Sequence, residues 1–132
     1  MILADTSVLL DVLKNDPVWA DRSQRALDVA AGSDQLAIND IVYAELSSRF
    51  STLEELDETI AAMPVRHAAM PRGALFLAGK AFVRYREAGG RRTGVLSDFF
   101  IGAHAAVAGA SLLTRDPRRV RSYFPTVTVL EP

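Results

Sequence analysis

No cysteine occurs among the 132 residues. A disulfide framework and zinc–thiolate sites are therefore excluded, which fits a reducing cytoplasm. There is no long hydrophobic run either. The longest nearly apolar stretch, Phe99–Leu113, is too short and too interrupted by glycine to span a bilayer. The apolar start is only a few residues long and has no basic leader, so no signal peptide is expected. Internal repeats and low-complexity segments are also missing. What remains is ordinary globular composition, 49% hydrophobic and 23% charged, in a chain long enough for one domain, residues 1–132, with a core of its own.

Net charge is only −1, but the charge is segregated: twelve of the sixteen acidic residues lie within Met1–Ile60, and nine of the fifteen basic ones within Lys80–Arg121. The basic second half bears more on partners than the overall balance does, although a solvated basic face would look the same.

The chain is organised around its first seven residues, Met1-Ile2-Leu3-Ala4-Asp5-Thr6-Ser7. An apolar run stopping on a carboxylate reads as a buried strand with an acidic end. Val8, Leu9, Leu10, Val12 and Leu13 follow at helical spacing, so Asp5-Thr6-Ser7 is a strand-to-helix turn. Asn15-Asp16-Pro17 is a turn before a helix reaching about Ala31, closed by Gly32. Leu36-Ala37-Ile38 is a strand, and Asn39 caps a helix from Asp40 to about Phe50. Thr52 and Glu55 are spaced as a capping box for a helix over Thr52–Met63. Val65-Arg66-His67 is a short edge strand. Pro71 opens a long helix to about Glu87, ended by Gly89-Gly90, and Arg91-Arg92-Thr93-Gly94 leads to Ser97-Asp98. The helix Phe99–Val107 is apolar nearly all round and belongs in the middle of the molecule. Ser111–Thr114 and Thr126–Leu130 are the last strands, with Asp116-Pro117 a turn between them. Strands alternating with helices predict an α/β fold with a mostly parallel sheet covered on both faces.

Four carboxylates stand at informative places. Asp5 and Asp116 each closely follow a strand and so share one edge of the sheet, the edge where open α/β sheets bind ligands. Asp98 lies in the first turn of the most buried helix, and Glu45 flanks the inward stripe of its own. Taken singly, Asp5, Asp98 and Asp116 each read first as complements to a helix N-terminus. Together they repel one another unless protons or a cation neutralise them. Oxygen ligands without cysteine suit Mg²⁺ or Mn²⁺. Thr6, Ser7 and Thr114 place hydroxyls beside them, suited to a water or substrate phosphate, or equally to capping.

The segments ADTSVLLD, IVYAELSSRF, LSDFFIGAHA and LLTRDPRRVRSYFP, in that order, resemble the PIN domain, and more narrowly the VapC-type ribonuclease toxins of bacterial toxin–antitoxin pairs. The resemblance covers essentially the whole chain. It implies a PIN-like three-layer sandwich with strand order 3-2-1-4-5. It puts the family's acidic positions on Asp5, Glu45, Asp98 and Asp116, and its hydroxyl on Thr114. It further implies Mg²⁺- or Mn²⁺-dependent cleavage of single-stranded RNA by metal-activated water. Asp5 and Asp98 would be the most direct ligands, with Glu45 and Asp116 further ligands or holding water. A cognate antitoxin and a homodimer are implied in the same way.

An acidic pocket repels RNA, so arginines must flank it. Arg115 and Arg92 are the expected phosphate contacts, with Thr6 and Ser7 beside them, although an ion pair with a neighbouring acid would equally explain Arg115. Tyr85, Tyr123 and Phe124 are stacking groups or core. His104 reads as a hydrogen-bonded core residue, His67 has no assigned role, and Trp19 is core or part of an apolar groove. Two other readings stand beside the nuclease. One is a phosphatase with Asp5 as nucleophile, weakened because Ser7 holds the place of its usual second aspartate. The other is a non-catalytic binding module whose acids only cap helices.

Overall fold

The computed structural model describes residues 1–91 and 95–132. Arg92, Thr93 and Gly94 lie outside the described residues. The first element is β1 (Ile2–Ala4), fully buried, and α1 (Thr6–Leu13) follows at once. Next come α2 (Ala20–Ser33), β2 (Leu36–Asn39), α3 (Asp40–Ser47) and α4 (Leu53–Ala61). The second half contains β3 (Arg66–Ala68), α5 (Arg72–Glu87), α6 (Leu96–Ala108), β4 (Ser111–Leu113), α7 (Arg118–Tyr123) and β5 (Val129–Leu130). Among the described residues the strands form one five-stranded sheet in the order β3-β2-β1-β4-β5. All of its pairings are parallel. This is the architecture that the family resemblance implied.

Register explains why the carboxyl edge gathers functional groups. Ala4 lies opposite Leu113, so Asp5 and Thr114 leave neighbouring strands side by side. The Asp5 amide continues the ladder by donating to the Leu113 carbonyl at 2.9 Å. With β2 on one flank of β1 and β4 on the other, Asp5 occupies the point where strand order reverses.

Local chemistry set most element ends. Asn39 accepts from the Val42 amide at 3.0 Å and opens α3, as its residue type predicts. Thr52 accepts from the Glu55 amide at 3.2 Å, and the Glu55 carboxylate reaches back to the Ser51 amide. Gly109 ends α6 in the left-handed region, φ 63°. Phe99 is fully buried under α5, meeting Phe82 edge-on at 5.7 Å and Tyr123 at 5.2 Å. His104 is buried, and its Nδ1 lies 3.3 Å from the Asn39 amide nitrogen, a hydrogen-bonded core residue as expected.

Several boundaries differ from the sequence expectation. Gly32 lies inside α2, which runs on to Ser33, because the backbone continues to bond through Asp34 to Ala30. Residues 17–19 stay outside that helix because Asp16 accepts from both the Val18 and Trp19 amides at 2.9 Å, closing a turn instead. Helix α3 stops at Ser47, three residues early. Helix α6 begins at Leu96, so Ser97 and Asp98 are within its first turn. Helix α7 was not anticipated. The last strand is Val129–Leu130 and not the longer Thr126–Leu130 run.

Candidate active site at the carboxyl edge of the sheet

Asp5 is held on both oxygens. Oδ1 accepts from the Thr6 amide at 2.8 Å, so this carboxylate caps α1. Oδ2 accepts from the Ser7 hydroxyl at 3.0 Å and the Thr114 hydroxyl at 2.7 Å. Thr114 Oγ in turn accepts from the Asp116 amide at 3.1 Å, and Ser7 Oγ from the Arg115 amide at 3.3 Å. The two hydroxyls thus bolt the segment after β4 onto the start of α1 and fix the Asp5 carboxylate between them. The Thr6 hydroxyl donates to Glu45 Oε1 at 2.7 Å, tying α3 to the same turn.

Asp98 is reached from a different layer. Its Oδ2 accepts from Arg119 Nη1 at 2.6 Å, an ion pair between α6 and α7. Partial burial pushes the Asp98 carboxyl above the ordinary 3.8; the negative charge of Asp5 pushes the same way, Arg119 opposes, and Glu45 adds to the rise. Asp5, Glu45 and Asp98 are therefore electrostatically one group. Asp5, Asp98, Thr114 and Asp116 also border one small cavity, walled by Ile101, Leu112, Val120 and Arg119. Asp116 is the outermost member, 58% exposed and 3.5 Å from Arg118.

The four carboxylates are neighbours and not a ready-made chelate. Among the described residues no three carboxylate or imidazole groups converge tightly enough to hold an ion as they stand. The reason is local: Arg119 takes Asp98, Thr6 takes Glu45, and Asp116 turns outward toward Arg118. The donor set nevertheless suits a hard dication. It consists of oxygens on a rigid edge, with Asp98 carrying a charge that burial disfavours.

Asp5 caps α1 through a hydrogen bond, and Asp98 lies in the first turn of α6, where its charge complements the helix N-terminus. Among the described residues no side chain hydrogen-bonds to the N-terminus of α6 or α7, so Asp98 and Asp116 make no cap of the kind Asp5 makes.

Arg115 corrects the sequence expectation of a phosphate contact. Its Nε lies 3.1 Å from Oδ2 of Asp11, and Asp11 is 1% exposed. Its guanidinium also covers Trp19, whose ring meets Arg22 as well; Trp19 is thus a platform for two cations. Arg119, undistinguished in sequence among many arginines, is the cation actually at the carboxylates. It went unnoticed because the helix that carries it was not recognised. His67 pairs with Asp40 and stacks on Tyr43 at 5.6 Å, away from the acidic edge. A cavity of about 680 Å³ lies between α2 and the chain end around Val29, Leu130 and Pro132. None of the four carboxylates borders it, so the chemistry is not placed there.

The family model for the PIN domain matches residues 2–124. The chain belongs to the PIN domain family. As a class these domains are nucleases that work with divalent metal ions. No curated protein matches this PIN domain by sequence. Among solved structures, VapBC2 from Rickettsia felis, bound to a DNA fragment from their promoter, superposes with a TM-score of 0.74 at 20% identity, covering 99% of this chain and 98% of that one. VapBC-1 from nontypeable Haemophilus influenzae gives 0.73 at 19% identity, with the same coverage. A toxin–antitoxin complex from Klebsiella pneumoniae gives 0.67 at 20% identity, covering 97% and 96%. At such identities these likenesses establish the fold. No helix of the described residues is long and apolar enough to cross a membrane.

Proposed function

We propose that this PIN domain is a metal-dependent endoribonuclease toxin that cuts single-stranded RNA and is held inactive by a cognate antitoxin. The observation that carries the reading is that Asp5, Asp98 and Asp116 border one cavity at the switch point of a parallel sheet, where burial first and then the charges of Asp5 and Glu45 raise the proton affinity of Asp98. Asp5 and Asp98 would hold Mg²⁺ or Mn²⁺ directly, with Glu45 and Asp116 as further ligands or water-holding groups. The ion would supply Lewis-acid activation of water and charge neutralisation at the phosphate.

The chain's own residues do the positioning. Thr114 and Ser7 keep the Asp5 carboxylate in a single orientation, and Thr6 does the same for Glu45. For Thr6 and Ser7 this replaces the phosphate-contact role, since their hydroxyls already donate to carboxylates. Arg118 and Arg119 bring positive charge to a rim that would otherwise repel a polyanion.

The partner assignments rest on the toxin–antitoxin complexes among the structural relatives. A homodimer is supported by the outer face of α5, where Phe76 is 70% exposed and Val83 and Leu75 lie near it.

The test is cleavage of a mixed single-stranded RNA pool by purified protein with Mn²⁺, with and without EDTA, beside Asp5→Asn and Asp98→Asn. Cleavage is expected to require the ion and to fall about 100-fold or more in both variants. Chelator-insensitive cleavage, or full activity in both variants, would overturn the assignment. Phosphoenzyme formation would point to the phosphatase instead.

A further inference from the structure

Beside the carboxylates lies a second cleft of about 280 Å³, lined by Tyr85, Asp116, Arg118, Arg119, Ser122 and Tyr123. Asp116 and Arg119 also border the acidic cavity, so the two spaces share a wall. Its size is near the lower end for small-ligand sites, about 300 Å³. Its composition differs from the acidic cavity's: Arg119 stands at the shared wall, and Arg118 and two phenol rings line the rest.

The aromatic side is a built surface. Tyr85 and Tyr123 meet at 6.1 Å with nearly perpendicular rings, and both rest on the buried Phe99. Neither is fully buried. The Arg119 guanidinium lies 5.6 Å over the Tyr85 ring while bonding Asp98, and so connects the rings to the acidic centre. Arg118 is 88% exposed, its charge met only at 3.5 Å by the half-open Asp116.

We infer that this cleft is the subsite for the nucleotide adjoining the scissile phosphodiester, binding an unpaired base against Tyr123, which Tyr85 and Phe99 hold in place, and its phosphate at Arg118 and Arg119. The inference rests on the nuclease reading and deepens it. Aromatic faces with neighbouring guanidinium groups suit single-stranded nucleic acid, because every base has a π-face and every linkage a charge. A duplex keeps its bases stacked on each other and cannot offer one to a recess behind an acidic cavity. The subsite therefore also accounts for a preference for unpaired RNA.

The absence of cysteine supplies the test. Ser122 is exposed at the cleft, so Ser122→Cys introduces a single thiol that a bulky maleimide can modify to fill the cleft without disturbing the core. Glu58→Cys on the exposed side of α4, labelled in the same way, is the control. Binding of a fluorescent single-stranded RNA is measured by anisotropy in EDTA, where no metal-dependent cutting occurs. Labelling at 122 is expected to weaken binding at least tenfold, and labelling at 58 to leave it unchanged. An abasic substitution at one position of the RNA should weaken binding to the unlabelled protein about tenfold, the scale of one stacked base. Arg118→Ala should flatten the dependence of log affinity on log salt by about 0.7.

Unchanged binding after labelling at 122, or equal affinity for RNA with and without every base, would overturn the subsite. Cleavage by the wild-type chain with Mn²⁺ is scored in parallel. A chain that cuts RNA but ignores the label refutes only this inference, whereas a chain that neither binds nor cuts RNA refutes the nuclease reading beneath it.

Discussion

The carboxylate of Asp11 is sealed from water on α1, yet only one of its oxygens is well served. Oδ2 accepts from the Ser23 hydroxyl at 2.7 Å and lies 3.1 Å from Arg115 Nε as an ion pair, while Oδ1 and that Nε make no hydrogen bond among the described residues. Arg115 is thereby committed to a structural pair: Asp11 on one side, the Trp19 ring on the other, and its own amide on Ser7. Asp11 is buried while Arg115 is partly exposed, so removing the arginine strands the buried carboxylate. Arg115→Met is expected to destabilise the fold by about 3 kcal/mol, seen as a lower urea midpoint, with most of the loss restored by adding Asp11→Leu. The salt dependence of RNA binding should be unchanged, unlike that of Arg118→Ala. An unaltered midpoint together with a flattened salt dependence would return Arg115 to the substrate.

Element packing shows a second constraint, on α6. A Cβ built at Gly102 would lie 2.5 Å from the ring of Phe124, which is itself buried at the end of α7. The glycine lets that ring press against the helix backbone, closing the layer that carries Arg119. Gly102→Ala is expected to cost about 1–3 kcal/mol by overpacking, read from thermal or urea unfolding, and Phe124→Leu should relieve part of it. A neutral Gly102→Ala would mean that α7 moves freely, which would undermine the fixed Arg119–Asp98 pair. This contact is also where legibility ended. Strand β1 and the helix after it were readable because burial, periodicity and the Asp5 carboxylate all coincide there. The same holds for α3 and α4, whose caps are local bonds between near neighbours. Helix α7 was missed because Arg118–Tyr123 is six residues with a single buried side chain, Val120, too short for periodicity to show. With it went the pairing of Arg119 with Asp98. Pairs such as Asp11 with Arg115, over a hundred residues apart, are set by strand order and not by spacing, so residue type alone left Arg115 ambiguous.

Across the whole molecule, folding moves charge to where it is least comfortable. An acidic first half contributes Asp5 and Glu45 and the more basic second half contributes Asp98, and the sheet brings all three within each other's field. The Asp98 carboxyl titrates above 3.8 in the fold, so its contribution favours the folded chain below that pH and is lost as pH rises through the raised value. At neutral pH the ionised cluster is a standing cost, relieved in part by Arg119. A dication that binds only the folded chain should offset that cost. With Mn²⁺ in about 100-fold excess over its dissociation constant, the expected gain is about 2.7 kcal/mol, a rise of roughly 10 °C in melting temperature. The rise should shrink as pH falls and protons compete for Asp98, and it should largely vanish in Asp98→Asn. Differential scanning fluorimetry in Mn²⁺ and in EDTA, at several pH values, measures all three. An equal shift in wild type and Asp98→Asn would place the ion elsewhere, and the absence of any shift would mean that Arg119 holds Asp98 too tightly for the cluster to open.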